Sequence, residues 1–154
     1  MTAQPEPRAV LLDATVVINL INMGQLGILP RLQGFKFWVP NHVKGEVHRR
    51  NHRLQLRKAL RAGWIEELEV VDLAEIELYA QYRSRFGQGE SACMAVARTR
   101  GWTVASDDRA VKRDAVQTLG ADRLMDTKDL LEAAVAAGIV EREEFEKIRN
   151  RFGL

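Results

Sequence analysis

The chain has little of what holds secreted or membrane-bound proteins together. It carries one cysteine in 154 residues, so no internal disulfide can form, and a reducing, cytoplasmic setting is expected. No apolar run reaches membrane-spanning length, and the opening MTAQPEPRAVLLD lacks the charged-then-apolar layout of a signal peptide. No membrane partner is therefore expected. There is no internal repeat and no low-complexity tract. With three histidines and that lone cysteine, a His/Cys metal site has few ligands to draw on. His48 and His52 stand at a spacing that zinc sites use, but no third ligand accompanies them. Cys93 sits among alanines, as a packing residue does. The formal net charge of +2 is too small to imply a nucleic-acid partner by itself.

What is present is globular. An apolar fraction of 46% and a charged fraction of 29% suit one α/β domain over residues 1–154, with 1–7 as a flexible leader. RAVLLD reads as a buried strand ending at Asp13, and the run from Ala14 has helical spacing broken at Gly24 and Gly27. FKFWVP is a second strand. Asn41 is placed to cap one or two helices that end at Gly63. WIEELEVV suits an edge strand. Leu73–Phe86 reads as a helix with Leu73, Ile76, Leu78 and Tyr79 toward the core. GQGE breaks the chain before a small-residue helix over Ser91–Arg100. WTVAS and DRLMD are late strands, separated by a helix near 109–119. Thr127 is placed to cap the next helix, and 141–152 form the last. Strands alternating with helices predict a three-layer αβα sandwich with a mostly parallel sheet of four to five strands.

Ligands of such sheets sit outside the carboxyl ends of the strands. Asp13 ends the first strand, Asp107 and Asp108 follow WTVAS, Glu90 opens the helix before that strand, and Glu46 comes from the helix after FKFWVP. Taken singly, each is an ordinary cap or helix-surface acid. Together they would crowd negative charge into one volume, and Mg²⁺ or Mn²⁺ is the usual counterweight, taking carboxylate oxygens and keeping waters.

The ordered set LLDAT, VPNHVKGEV, GQGES and TVASDD, running from about Val10 to Asp126, resembles the PIN-domain family, which includes the VapC-like toxin ribonucleases. Its first aspartate and trailing hydroxyl match Asp13 and Thr15. Its P-x-x-V-x-x-E segment matches Pro40, Val43 and Glu46. Its third acid, usually aspartate, is Glu90 here, as in a G-x-G-E subgroup. Its T-x-D position corresponds to Asp108, beside Ser106 and the extra Asp107. The resemblance implies a divalent-metal-dependent endoribonuclease, more specifically the toxin of a toxin–antitoxin pair, with Asp13, Glu46, Glu90 and Asp108 catalytic. Asp13, Glu90, Asp107 and Asp108 would hold the metal, and the Thr15 and Ser106 hydroxyls would support them. RNA is the implied substrate, a protein antitoxin and a second copy of the chain the implied partners.

Other features carry less. The run HRRNHRLQLRKALR has no acid, and Arg49, Arg50, Arg53, Arg57 and Lys58 could hold RNA phosphates or simply be solvated. Arg109 is read as a salt-bridge partner for the Asp pair. Trp38, Trp64 and Trp102 suit core or sheet-edge packing, and GQG is too short for a phosphate loop. Two alternatives stand beside the nuclease: a PIN-fold module that binds nucleic acid or protein without cutting, and an aspartate-based phosphoryl-transfer domain. LLDAT resembles the start of a haloacid-dehalogenase-like motif, yet Ala14 stands where a second aspartate is required, and no well-placed lysine follows a late strand.

Overall fold

The computed structural model describes residues 5–154. The leader expected over 1–7 lies partly outside the described residues; 5–7 are exposed coil. Five strands form one sheet: β1 (Arg8–Leu12), β2 (Phe35–Pro40), β3 (Glu66–Leu68), β4 (Thr103–Ala105) and β5 (Leu124–Met125). All neighbours pair in parallel, in the order β3-β2-β1-β4-β5. The central strand β1 buries Val10, Leu11 and Leu12 completely, because a strand covered on both faces needs apolar residues at successive positions. Edge strand β3 leaves Glu66 and Glu67 exposed.

The helices are α1 (Ala14–Asn22), α2 (Asn41–Glu46), α3 (Arg50–Arg61), α4 (Leu73–Tyr82), α5 (Gln88–Arg100), α6 (Arg109–Thr118), α7 (Thr127–Ala136) and α8 (Arg142–Phe152). Right-handed crossovers put α1 and α3 on one face of the sheet and α4 to α6 on the other. In agreement, α1 packs against α3 and α7, while α5 packs against α4, α6 and the strands β1, β2 and β4. The α5 stretch Ser91–Ala97 is fully buried. Its small side chains let the helix lie close on the sheet, and Gly101 ends it in the left-handed conformation at φ 72°.

Three local expectations are corrected. Leu73 and Ile76 are 71% and 45% exposed, whereas Glu75 on the same helix is buried. The α5 end decides this: Arg100 and Thr99 both donate to Glu75, at 2.8 and 2.7 Å, so an ion pair takes the inward face and the apolar residues turn out. That helix also stops at Tyr82 rather than Phe86, and GQGE opens α5 rather than interrupting the chain before it. The caps differ as well. Asp126, not Thr127, caps α7 in a reciprocal pair with Asp129, and Asn41 is the first helical residue after Pro40 and forms no side-chain cap.

Candidate active site

The chain winds outward from β1 to β2 and β3, then returns to place β4 on the other side of β1. The β1/β4 boundary is therefore the topological switch point, where the following loops diverge and leave a crevice. Asp13 follows β1 there, and Ser106, Asp107 and Asp108 follow β4. The Asp13 amide continues the ladder by donating to the Ala105 carbonyl at 3.1 Å.

Asp13 is 1% exposed. Its Oδ1 accepts from the Thr15 hydroxyl at 2.6 Å and from the Val16 amide at 3.1 Å, capping α1. Its Oδ2 is buried and, among the described residues, has no hydrogen-bond partner. Burial pushes the Asp13 carboxyl above the usual carboxylate range; the Ser106 and Thr15 hydroxyls and the Val16 amide offset part of this, while nearby Asp107 adds to it. Ser106 lies close enough to be felt yet forms no hydrogen bond with Oδ2. Its Oγ instead accepts from the Asp108 amide at 3.1 Å.

The doubled aspartate divides its work. Asp108 caps α6, its Oδ1 accepting from Val111 at 3.0 Å, so the cap that either residue could have supplied is not Asp107. Asp107 is held by three side-chain or backbone donors from other elements. Its Oδ2 accepts from Asn19 Nδ2 at 2.6 Å and from the Thr127 hydroxyl at 2.5 Å, and its Oδ1 from the Thr127 amide at 2.9 Å. Thr15 links the two strand ends, donating to Asp13 and accepting from the Asp107 amide at 3.3 Å. Neither Asn19 nor Thr127 was expected at the site. Asn19 had a readable signal, since it falls four residues after Thr15 on the same helix face. Thr127 had none, because its role depends on the β4–β5 pairing.

Glu90 and Glu46 reach the same crevice from α5 and α2. Burial raises the Glu90 pKa, and repulsion from Asp108, Asp13 and Glu46 pushes it further, against a hydrogen bond from the Gly87 amide. Glu90 thus feels the charge of the other three acids. Glu46 is locked by α5: Oε1 accepts from the Gly89 amide at 2.5 Å. A Cβ on Gly89 would collide with that oxygen and stand 3.0 Å from Val43 Cγ2, and one on Gly87 would stand 3.2 Å from Oε2. The glycines of GQGE are the seat of Glu46, not a phosphate loop. Beneath them Cys93 is fully buried with its thiol pKa pushed well up by burial and by Asp13, Glu46 and Glu90; it donates to the Leu12 carbonyl at 3.7 Å.

Arg49, Arg50, Arg53, Arg57 and Lys58 are all exposed, and among the described residues none forms an ion pair. Arg109 is likewise exposed and unpaired there, contrary to the expected salt bridge; Lys112 pairs instead with Asp126 at 2.8 Å. The zinc spacing does not yield a zinc site: His52 is buried with Nε2 bonded to Asn22 Oδ1 at 2.8 Å. Among the described residues, no three His, Cys, Asp or Glu side chains are gathered tightly enough to hold an ion as they stand. The donor set nevertheless fits a hard divalent cation: it is all carboxylate, and the buried, unpartnered Asp13 Oδ2 points to a missing positive partner.

The fold is thus an α/β sandwich with a five-stranded parallel sheet that carries acids from β1, α2, α5 and the end of β4 at its switch point. The sequence profile of the PIN domain matches residues 9–149, and the chain belongs to the PIN-domain family. PIN domains are generally nucleases and typically use divalent metals. No curated protein matches the chain.

Proposed function

We propose that the protein is a Mg²⁺- or Mn²⁺-dependent endoribonuclease, the toxin of a toxin–antitoxin pair acting in the cytoplasm. The observation that carries the nuclease reading is Asp13 Oδ2, buried and without a partner at the β1/β4 switch point beside Asp107 and Asp108. A carboxylate oxygen kept there at a desolvation cost makes sense as a ligand. Asp13, Glu90 and Asp108 would hold the cation, which when bound polarises the phosphate and activates water for in-line displacement. Waters would complete a shell that the protein leaves unfinished.

The chain's own residues do the rest. Thr15 fixes the orientation of Asp13 and spaces it from Asp107. Asp107, tied to Asn19 and Thr127, holds the β4 loop and with it Asp108. Glu46 fixes the first turn of α5 and so the position of Glu90. The unpaired cations of α3 would hold the RNA backbone without reading its sequence. The toxin role, an antitoxin and a homodimer rest on the resemblance to VapC-like proteins; the exposed Val71, Leu73 and Ile76 are a surface a second copy would cover.

One observation favours a second reading, a PIN-fold binding module that does not cut: among the described residues, no three candidate ligands are gathered in advance. Incubating the protein with single-stranded RNA and Mg²⁺ or Mn²⁺ separates the two. The nuclease reading expects cleavage that EDTA stops and Asp13→Ala abolishes while the fold persists by circular dichroism. Binding without cleavage at any metal concentration would establish the module instead.

A further inference from the structure

Beside the acids, an open cleft of about 360 Å³ lies between α1 and α3, lined by Ile18, Asn22, Glu46, His48, Arg49 and His52. Glu46 belongs to both, so the cleft runs directly off the candidate active site. Two of its lining side chains, Asn22 and Arg49, can donate into it. The Nε2 of buried His52 meets Asn22 Oδ1 at 2.8 Å, which engages one lone pair of the amide oxygen and leaves the Asn22 Nδ2 donor free of that contact. Asn22 and Arg49 are exposed, and Arg49 is a pure donor. The Glu46 oxygens lie against Gly87 and Gly89 of α5, and Oε1 is engaged by the Gly89 amide. Half-buried Ile18 supplies an apolar surface for a flat ring.

We propose that this cleft is a nucleobase subsite that selects a keto base, uracil or guanine, in the nucleotide next to the scissile phosphate. The inference rests on the ribonuclease reading. Uracil and guanine carry a carbonyl oxygen where cytosine and adenine carry an amino group, so the Asn22 Nδ2 donor pairs with the former and faces another donor in the latter. A single strand is required, because only an unstacked base can enter a side cleft. Arg49 would take the adjoining phosphate.

The test is fluorescence anisotropy with labelled hexauridylate, hexacytidylate and hexaadenylate, in EDTA so that nothing is cut. The native protein should bind hexauridylate about tenfold tighter than hexacytidylate, the discrimination of one matched polar pair. Asn22→Ala should bring the ratio to within about twofold, Asn22→Asp should reverse it, and Arg49→Ala should weaken all three in parallel. Thermal melts identify any variant that has lost its fold; two substitutions at Asn22 guard against one of them failing. Binding with an unchanged base order in both Asn22 variants, or with no base order in the native protein, overturns the subsite alone. Absence of binding to every oligonucleotide also overturns the subsite; the ribonuclease reading is overturned separately, by absence of cleavage with Mg²⁺ or Mn²⁺.

Discussion

Glu46 at the end of α2 accepts a hydrogen bond from the backbone amide of Gly89 in the first turn of α5, across 43 residues of sequence. One acid of the candidate site thereby positions the helix that carries another, Glu90. The contact exists because Gly89 has no side chain: a Cβ there would occupy the place of Glu46 Oε1. Gly89→Ala should displace Glu46, cost about 1–3 kcal/mol in urea denaturation through overpacking, and lower RNA cleavage by at least tenfold. Gly45→Ala on α2, where an added Cβ meets nothing within 4 Å, is the control and should do neither. Equal cleavage by the Gly89 variant and the native protein would remove Glu46 from the machinery.

Asp13 poses a trade between stability and function. Its carboxyl pKa is raised by burial, so the folded protein binds that proton more tightly than the unfolded chain. Stability from this group is therefore greatest below the ordinary carboxylate range, falls as pH rises through the window up to the raised value, and stays reduced at neutral pH. Asp13→Asn keeps the shape and the cap acceptor without the charge. In metal-free buffer at pH 7 it should raise the melting midpoint by a few degrees and flatten its acid-range pH dependence, while cleavage falls beyond the roughly 10–100-fold that a supporting residue costs. Added Mg²⁺ should stabilise the native protein and not the variant.

What could be read in the sequence was whatever depends on neighbours along the chain. The strand ends at Asp13 and Asp108, the apolar β1, and the alanine-rich α5 all declare themselves by local pattern. The contacts that fasten the site depend on strand order and could not be read that way. Thr127 reaches Asp107 only because β5 lies beside β4, and the two glycines of GQGE look like a loop until α2 is seen resting on them. Helix α4 misled for a related reason: its apolar spacing points Leu73 and Ile76 inward, but Glu75 takes the inward face, where Thr99 and Arg100 of α5 donate to it, and those partners are not neighbours along the chain.

The adjacent aspartates should separate cleanly by mutation. Asp107→Ala strips partners from Asn19 Nδ2 and from the Thr127 amide and hydroxyl, and stranding such donors costs about 1–3 kcal/mol. Asp108→Ala removes one helix cap, worth about 1 kcal/mol. Stability should thus suffer more at Asp107. Metal-dependent cleavage, measured where both variants remain folded, should suffer more at Asp108, whose charge is among those that Glu90 feels. The opposite ranking would make Asp107 the principal ligand and Asp108 a cap.

Glu75 offers a prediction independent of the site. Burial alone would raise its pKa, but hydrogen bonds from Arg100 and Thr99, with the charge of Arg100, outweigh that and hold it below the ordinary carboxylate range. Here the sign is opposite to that at Asp13: the contribution is present at neutral pH and disappears as pH falls through the depressed folded value. Arg100 is about a third exposed, so water screens part of the attraction, and Glu75→Gln should cost about 1–3 kcal/mol at pH 7 rather than the larger penalty of a wholly buried pair. The difference between native and variant proteins should shrink in strong acid, where both carry a neutral group. Glu75→Leu discriminates further. It matches the apolar spacing of α4 but leaves Arg100 without its acceptor, while Thr99 keeps the Ala95 and Val96 carbonyls, so it should be no more stable than Glu75→Gln. If the leucine variant instead exceeds the native protein in stability, packing and not the ion pair governs which way α4 faces.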